Sequence, residues 1–109
     1  MPAVAFSSLM ASREFLETAQ SKRFLSAYRK AREWATTASP DNIADAEASF
    51  FPNVDRKALS AAIASYQSLG CWTGDLAITR ELYEQALEVF LYSGAIPRRY
   101  PYEEVVSEI

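Results

Sequence analysis

The sequence predicts a mainly α-helical protein of five to six helices with one short strand near the N-terminus. Apolar residues recur at helical spacing through most of the 109 residues. Serine, threonine or aspartate stands just ahead of these runs, where a side-chain oxygen can accept from an orphan backbone N–H. Only three glycines occur, and Gly70 and Gly94 fall where helical runs end. The length suits one domain, so residues 1–109 are expected to form a single helical module. Hydrophobic residues make up 50% and charged ones 23%, the balance of a chain that buries a core instead of remaining disordered.

From the N-terminus, Val4, Phe6, Ser8 and Met10 alternate with Ala5, Ser7, Leu9 and Ala11, the pattern of a short strand covered on both sides. Ser12 then caps a short helix through Phe15 and Leu16, with a break or bend near Gln20. The next helix is expected over residues 21–38, where Phe24, Ala27, Tyr28, Ala31, Trp34, Ala35 and Ala38 share one face. That stripe is expected to be buried. Lys22, Arg23, Arg29, Lys30 and Arg32 occupy the other side, and they read as a solvated face more than as a phosphate or nucleic-acid site.

Ser39, Pro40 and Asp41 mark a third start, since proline at the first helical position gives up an N–H that has no helical partner anyway. This helix runs through Ile43, Ala46 and Phe50, and Pro52 disfavours helical geometry at Phe51. Asp55 caps the fourth, whose expected inner face is Leu59, Ala62, Ile63, Tyr66 and Leu69. A turn over residues 71–75 precedes Thr79, the cap of a fifth helix with Leu82, Tyr83, Ala86, Leu87, Val89, Phe90 and Leu91. Pro101 starts a last short helix carrying Tyr102, Val105, Val106 and Ile109.

Few kinds of chemistry fit this composition. Histidine is absent and Cys71 is the single cysteine, which excludes histidine–cysteine zinc sites and histidine-assisted nucleophiles within one chain; Cys71 reads as small core filler. No metal site, cofactor or catalytic residue is expected, and the chain reads as a non-enzyme. Glu81, Glu84 and Glu88 line up at helical spacing, as acid–base or metal-binding carboxylates would, but glutamates beside Arg80 and Gln85 read as helix surface. Asp41, Asp45 and Glu47 read the same way, Asp41 serving the helix dipole. Trp72 with Tyr92, Tyr100 and Tyr102 could form a stacking platform for a flat ligand; the preferred reading has Trp72 plug the gap between the fourth and fifth helices. Net charge is −3, so neither nucleic acid nor an anionic membrane is an expected partner, and no apolar run approaches the roughly 20 residues of a membrane-spanning helix.

Several local features are collinear with a known pattern: Ser8-Leu9-Met10-Ala11-Ser12-Arg13-Glu14-Phe15-Leu16, Arg23-Phe24-Leu25-Ser26-Ala27-Tyr28-Arg29-Lys30-Ala31 with Trp34, and Phe51-Pro52-Asn53-Val54-Asp55. Tyr66-Gln67-Ser68-Leu69-Gly70-Cys71-Trp72 follows, then Ser93-Gly94-Ala95-Ile96-Pro97 and Pro101-Tyr102-Glu103-Glu104-Val105-Val106. In this order they resemble the C-terminal region of the substrate-binding proteins of ABC importers for nitrate, sulfonates, taurine and thiamine-pyrimidine precursors. The resemblance spans nearly the whole chain.

It implies the helical part of one lobe of a type II periplasmic binding protein, which would associate with ABC importer components if the missing lobes were supplied. Intact members hinge two α/β lobes around a ligand cleft, and most of both lobes has no counterpart here. The expected function is therefore a fragment or truncated homologue of such a protein that does not hold solute alone, with a stand-alone helical interaction or dimerisation module as the alternative. The ligand-binding residues are not specified; Ser7 and Ser8 are the nearest candidates. Members of that family are periplasmic, whereas the start of this chain makes a poor export signal and gives a cytoplasmic expectation. Helices deprived of a covering sheet are expected to pair as a two-fold homodimer.

Overall fold

The computed structural model describes residues 7–108, which are mainly helical: six α-helices and one 3₁₀ turn. In chain order these are α1 (Arg13–Leu16), α2 (Ala19–Thr37), α3 (Pro40–Glu47) with the 3₁₀ turn Ala48–Phe50, α4 (Arg56–Ser68), α5 (Arg80–Tyr92) and α6 (Tyr102–Val105). They gather into two compact units: Ser12–Asp75 holds α1 to α4, and the segment from Leu76 onward holds α5 and α6.

The expected starts form as their side chains dictate. Ser12 Oγ accepts from Phe15 N, Ser39 Oγ from Asn42 N, and Thr79 Oγ1 from Leu82 N, while Asp55 Oδ2 accepts from both Lys57 N and Ala58 N. Each satisfies a donor of the first helical turn. The bend expected near Gln20 is a full break: α1 stops at Leu16, and Thr18 caps α2 by accepting from Ser21 N while donating to Phe15 O. Ser21, buried at this corner, donates to the carbonyls of Leu16 and Thr18 at 2.9 and 2.8 Å.

Two helix ends are closed in the same way. After α4, Gly70 N donates to Gln67 O and Cys71 N to Tyr66 O; after α5, Gly94 N donates to Leu91 O and Ala95 N to Phe90 O. This paired closure needs a left-handed residue, and Gly70 (φ 71°) and Gly94 (φ 74°) supply it.

The core of the Ser12–Asp75 unit is a helical hairpin. Ile43 and Ala44 of α3 meet Leu59 and Ile63 of α4, and Ala35, Ala38 and Trp72 pack around them. In the other unit Tyr83, Ala86 and Leu87 are the buried residues of α5. The Tyr83 hydroxyl donates to Tyr100 O at 2.7 Å, and the Tyr102 hydroxyl donates to Ile78 O at 2.5 Å. The two rings meet edge to face with centroids 5.6 Å apart.

Several expectations are corrected. No strand occurs among the described residues. Ser7 to Ala11 lack strand geometry, with Leu9 and Met10 exposed instead of covered, while Val4 and Phe6 lie outside the described residues, as does Ile109 at the other end. The α2 stripe is not buried: Phe24 is 49% and Trp34 44% exposed, and Tyr28, Ala27 and Ala31 also reach solvent. The line of α2 that turns inward is Ser21, Leu25, Arg32 and Ala35. On α4, Leu59 and Ile63 are buried as expected, but Ala62, Tyr66 and Leu69 are exposed. Arg56, Ser60 and Gln67 take their place along the inner edge, because each finds a hydrogen-bond partner there. Ala46 and Phe50 are likewise exposed.

Candidate functional site

The most built-up polar feature is the turn after α4. Arg32, placed by sequence on a solvated basic face, reaches across its unit to this turn. Its Nε donates to Trp72 O at 3.3 Å, Nη2 to Thr73 O at 3.0 Å and Nη1 to Asp75 O at 3.4 Å. One planar guanidinium thus orders three carbonyls that no helix satisfies. Gln67 performs the same service for the end of α2, its Nε2 donating to the carbonyls of Ala35 and Ala38 at 2.8 Å each.

Between these two anchors Trp72 turns inward onto the Ile43–Ile63 cluster and meets the Tyr66 ring at 5.8 Å and 47°. Cys71, expected as core filler, is exposed, since its neighbour Trp72 takes the inward position of the turn. Trp72 is half-buried, whereas Cys71, Thr73, Gly74 and Asp75 of the turn and the neighbouring Tyr66 are exposed.

The other candidate groups have structural partners. Tyr100 lies under the Arg98 guanidinium at 4.8 Å from its centroid, and Tyr102 sits between Tyr83 and Arg80. Tyr92 is 96% exposed. Trp72 belongs to one unit and these three tyrosines to the other. Of the glutamates, Glu84 and Glu88 both pair with Arg99, and Glu81 accepts from Gln85 Nε2 at 3.5 Å. The other amide atom, Gln85 Oε1, is buried without a hydrogen-bond partner. Glu103 pairs with Arg80, whose guanidinium holds its carboxyl below the usual range, mainly through the hydrogen bond.

Asp41 does more than face a helix dipole. It accepts from Ser60 Oγ at 2.6 Å and lies 3.5 Å from Arg56 Nη1, while Asp45 Oδ1 takes Arg56 Nη2 at 2.7 Å and Nε at 2.9 Å. The Ser60 hydroxyl first, and Arg56 after it, hold the Asp41 carboxyl below its ordinary value. The cluster is an exposed tie between α3 and α4, and Glu47 stays outside it. Ser7 and Ser8 are exposed at the start of the described chain.

Among the described residues, no group of three or more carboxylate and cysteine side chains is placed to hold a metal ion, and no helix is long and apolar enough to cross a membrane. What remains distinctive is apolar exposure. Phe24 and Tyr28 stack at 6.2 Å with an 8° interplanar angle along α2, Trp34 is exposed further along the helix, and Val89, Phe90 and Tyr92 stand exposed at the end of α5. Sequence periodicity located the α2 residues but not their exposure.

No family model matches the chain, and no solved structure matches it. Over 107 residues it is 23% identical to the protein named "Putative binding protein YtlA" of Bacillus subtilis (strain 168). The match takes in 96% of this chain and 32% of that protein, so the chain spans about a third of the length of the curated relative it matches. The finding is a distant, partial similarity to a binding protein, consistent with a truncated homologue.

Proposed function

We propose that the chain is a fragment or truncated homologue of an ABC-importer substrate-binding protein of the nitrate, sulfonate, taurine or pyrimidine type, and that it does not hold solute alone. The observation that carries this reading is the match to YtlA, end to end on this chain but confined to a third of its relative. The collinear motifs support the solute class. The described side chains support the second clause: Arg32, Gln67, Trp72, Tyr83 and Tyr102 are engaged with the chain's own backbone and core. On this reading the protein is not an enzyme, needs no cofactor, and takes part in transport only with the missing lobes and the importer's other components.

Two measurements test it. Calorimetry of the isolated chain with nitrate, taurine, an alkylsulfonate and a pyrimidine precursor is expected to show no binding at micromolar concentration; micromolar binding to any of them would overturn the second clause. Reading frames beside the coding sequence are expected to encode counterparts of the missing lobes. An isolated frame with its own promoter would favour the second reading, a stand-alone helical module that pairs with its own copy. The exposed Val89, Phe90 and Tyr92 favour that alternative. Sedimentation at micromolar concentration separates it, since a single monomeric species excludes the pair.

A further inference from the structure

Helix α2 has apolar or packed residues on two sides. Successive residues turn by about 100°, which sets Phe24, Ala27, Ala31 and Trp34 about a third of a turn away from the inward line of Ser21, Leu25 and Arg32. The inward line is occupied within its unit, as the Arg32 hydrogen bonds and the half-buried Leu25 and Ala35 record. The second side is exposed, yet it is built like a packing surface. The Phe24 and Trp34 rings stand at its ends, with Tyr28 stacked on Phe24 from the inward edge, and the small Ala27 and Ala31 lie exposed between them.

We propose that this face is the seam on which the rest of a binding-protein-like polypeptide seats, namely the counterpart of the roughly two thirds of YtlA that lies outside the match. The inference rests on the reading given under Proposed function. The 96% against 32% coverage supplies the occupant: nearly all of this chain aligns with part of a longer protein, about two thirds of which lies outside the match. Charge argues against a second copy at this face. Arg23 and Lys30 border the stripe, Lys22 and Arg29 lie on the same helix, and Glu33 is its one acidic residue, so two such faces in contact would set like charges against each other. The fitting partner surface is apolar at its centre and carries carboxylates at the edge that meets Arg23 and Lys30.

The test is a chimera in which this chain replaces the matched third of YtlA, compared with the isolated chain by hydroxyl-radical footprinting read by mass spectrometry. In the isolated chain Trp34 and Phe24 are expected to oxidise readily. In the chimera oxidation of Trp34 should fall about fourfold, the ratio of its present 44% exposure to the tenth or so of a buried ring. Trp34→Lys should leave the isolated chain soluble and folded but sharply lower the yield of folded chimera, and Trp34→Phe should restore it. A folded, monomeric chimera with Trp34 as reactive as before overturns the seam and leaves the proposed function standing. A chimera that does not fold overturns both. Protection of Trp34 in the isolated chain, together with a dimer in sedimentation, assigns the face to a second copy and overturns the seam alone.

Discussion

Helix α2 and the α3–α4 hairpin belong to one compact unit and differ in how their apolar residues are used. α2 is the longest helix, with the clearest periodic stripe in the sequence, yet Phe24, Tyr28 and Trp34 on that stripe are exposed. α3 has only eight residues, yet Ile43 and Ala44 are the most completely buried side chains described, at 1% and 0% exposure. Periodicity specifies which residues share a face. Whether that face has a neighbour depends on what else is present, and for α3 the neighbour is α4, joined to it through only a short turn. The hairpin therefore closes on itself, whereas the α2 stripe faces solvent.

The comparison is broken most directly at its buried end. Ile43→Ala should cost about 3 kcal/mol in denaturant unfolding, the usual result of emptying a closed aliphatic site. A loss below about 1 kcal/mol would show that the hairpin core is loose. Gly70→Ala, at the end of the hairpin, should cost about 1–2 kcal/mol, because a Cβ at φ 71° is strained and would stand 3.2 Å from Thr73 Oγ1. Thermal unfolding of the single variant checks it. Trp34→Ala should cost about 1 kcal/mol or less in the isolated chain, well under the roughly 3 kcal/mol its stripe implied when read as buried. A loss matching that of Ile43→Ala would erase the distinction between the two regions.

The smallest effect is electrostatic. The Asp41 carboxyl titrates below its ordinary value, so its tie to Ser60 and Arg56 contributes to folding above the unfolded carboxylate range and fades as pH falls through the lowered value. NMR titration of the Asp41 carboxyl should show the depressed midpoint, and Ser60→Ala should move it up toward the ordinary value near 3.8. An unmoved midpoint would leave Arg56 as the whole cause.

Local chemistry was the legible part of this sequence. Ser12, Ser39, Asp55, Thr79, Gly70 and Gly94 announce helix ends because their physical role involves only a few neighbouring residues. Thr18 escaped notice because only two residues separate α1 from α2. Inner faces were harder to read, since polar residues with good partners compete for the interior. Gln67 displaces the expected line through Ala62, Tyr66 and Leu69 by serving the end of α2, and Ser60 and Arg56 do so by meeting Asp41 and Asp45. Arg32 was hidden for the same reason, because its partners are carbonyls about 40 residues further along the chain. Such pairings leave no periodic trace. The likeness to a binding protein could be read from collinear motifs, whereas the exposed seam could not, since amphipathicity is indifferent to where the neighbour comes from.

The Arg32 clamp also bears on the order in which the chain assembles. The hairpin joins Ile43 to Ile63 across about twenty residues, a short loop to close, and its ends are pre-set by Ser39 and Asp55. The guanidinium contact to Trp72 O spans 40 residues, and it can form only after α4 has ended at its glycine turn and presented the carbonyls that follow. Hairpin first and clamp last is the sequence of events that loop-closure entropy favours. On a ribosome, α2 would then emerge well before the turn that fixes its inner edge, leaving its aromatic side in solvent throughout, at the stage of synthesis when chaperones bind exposed apolar segments.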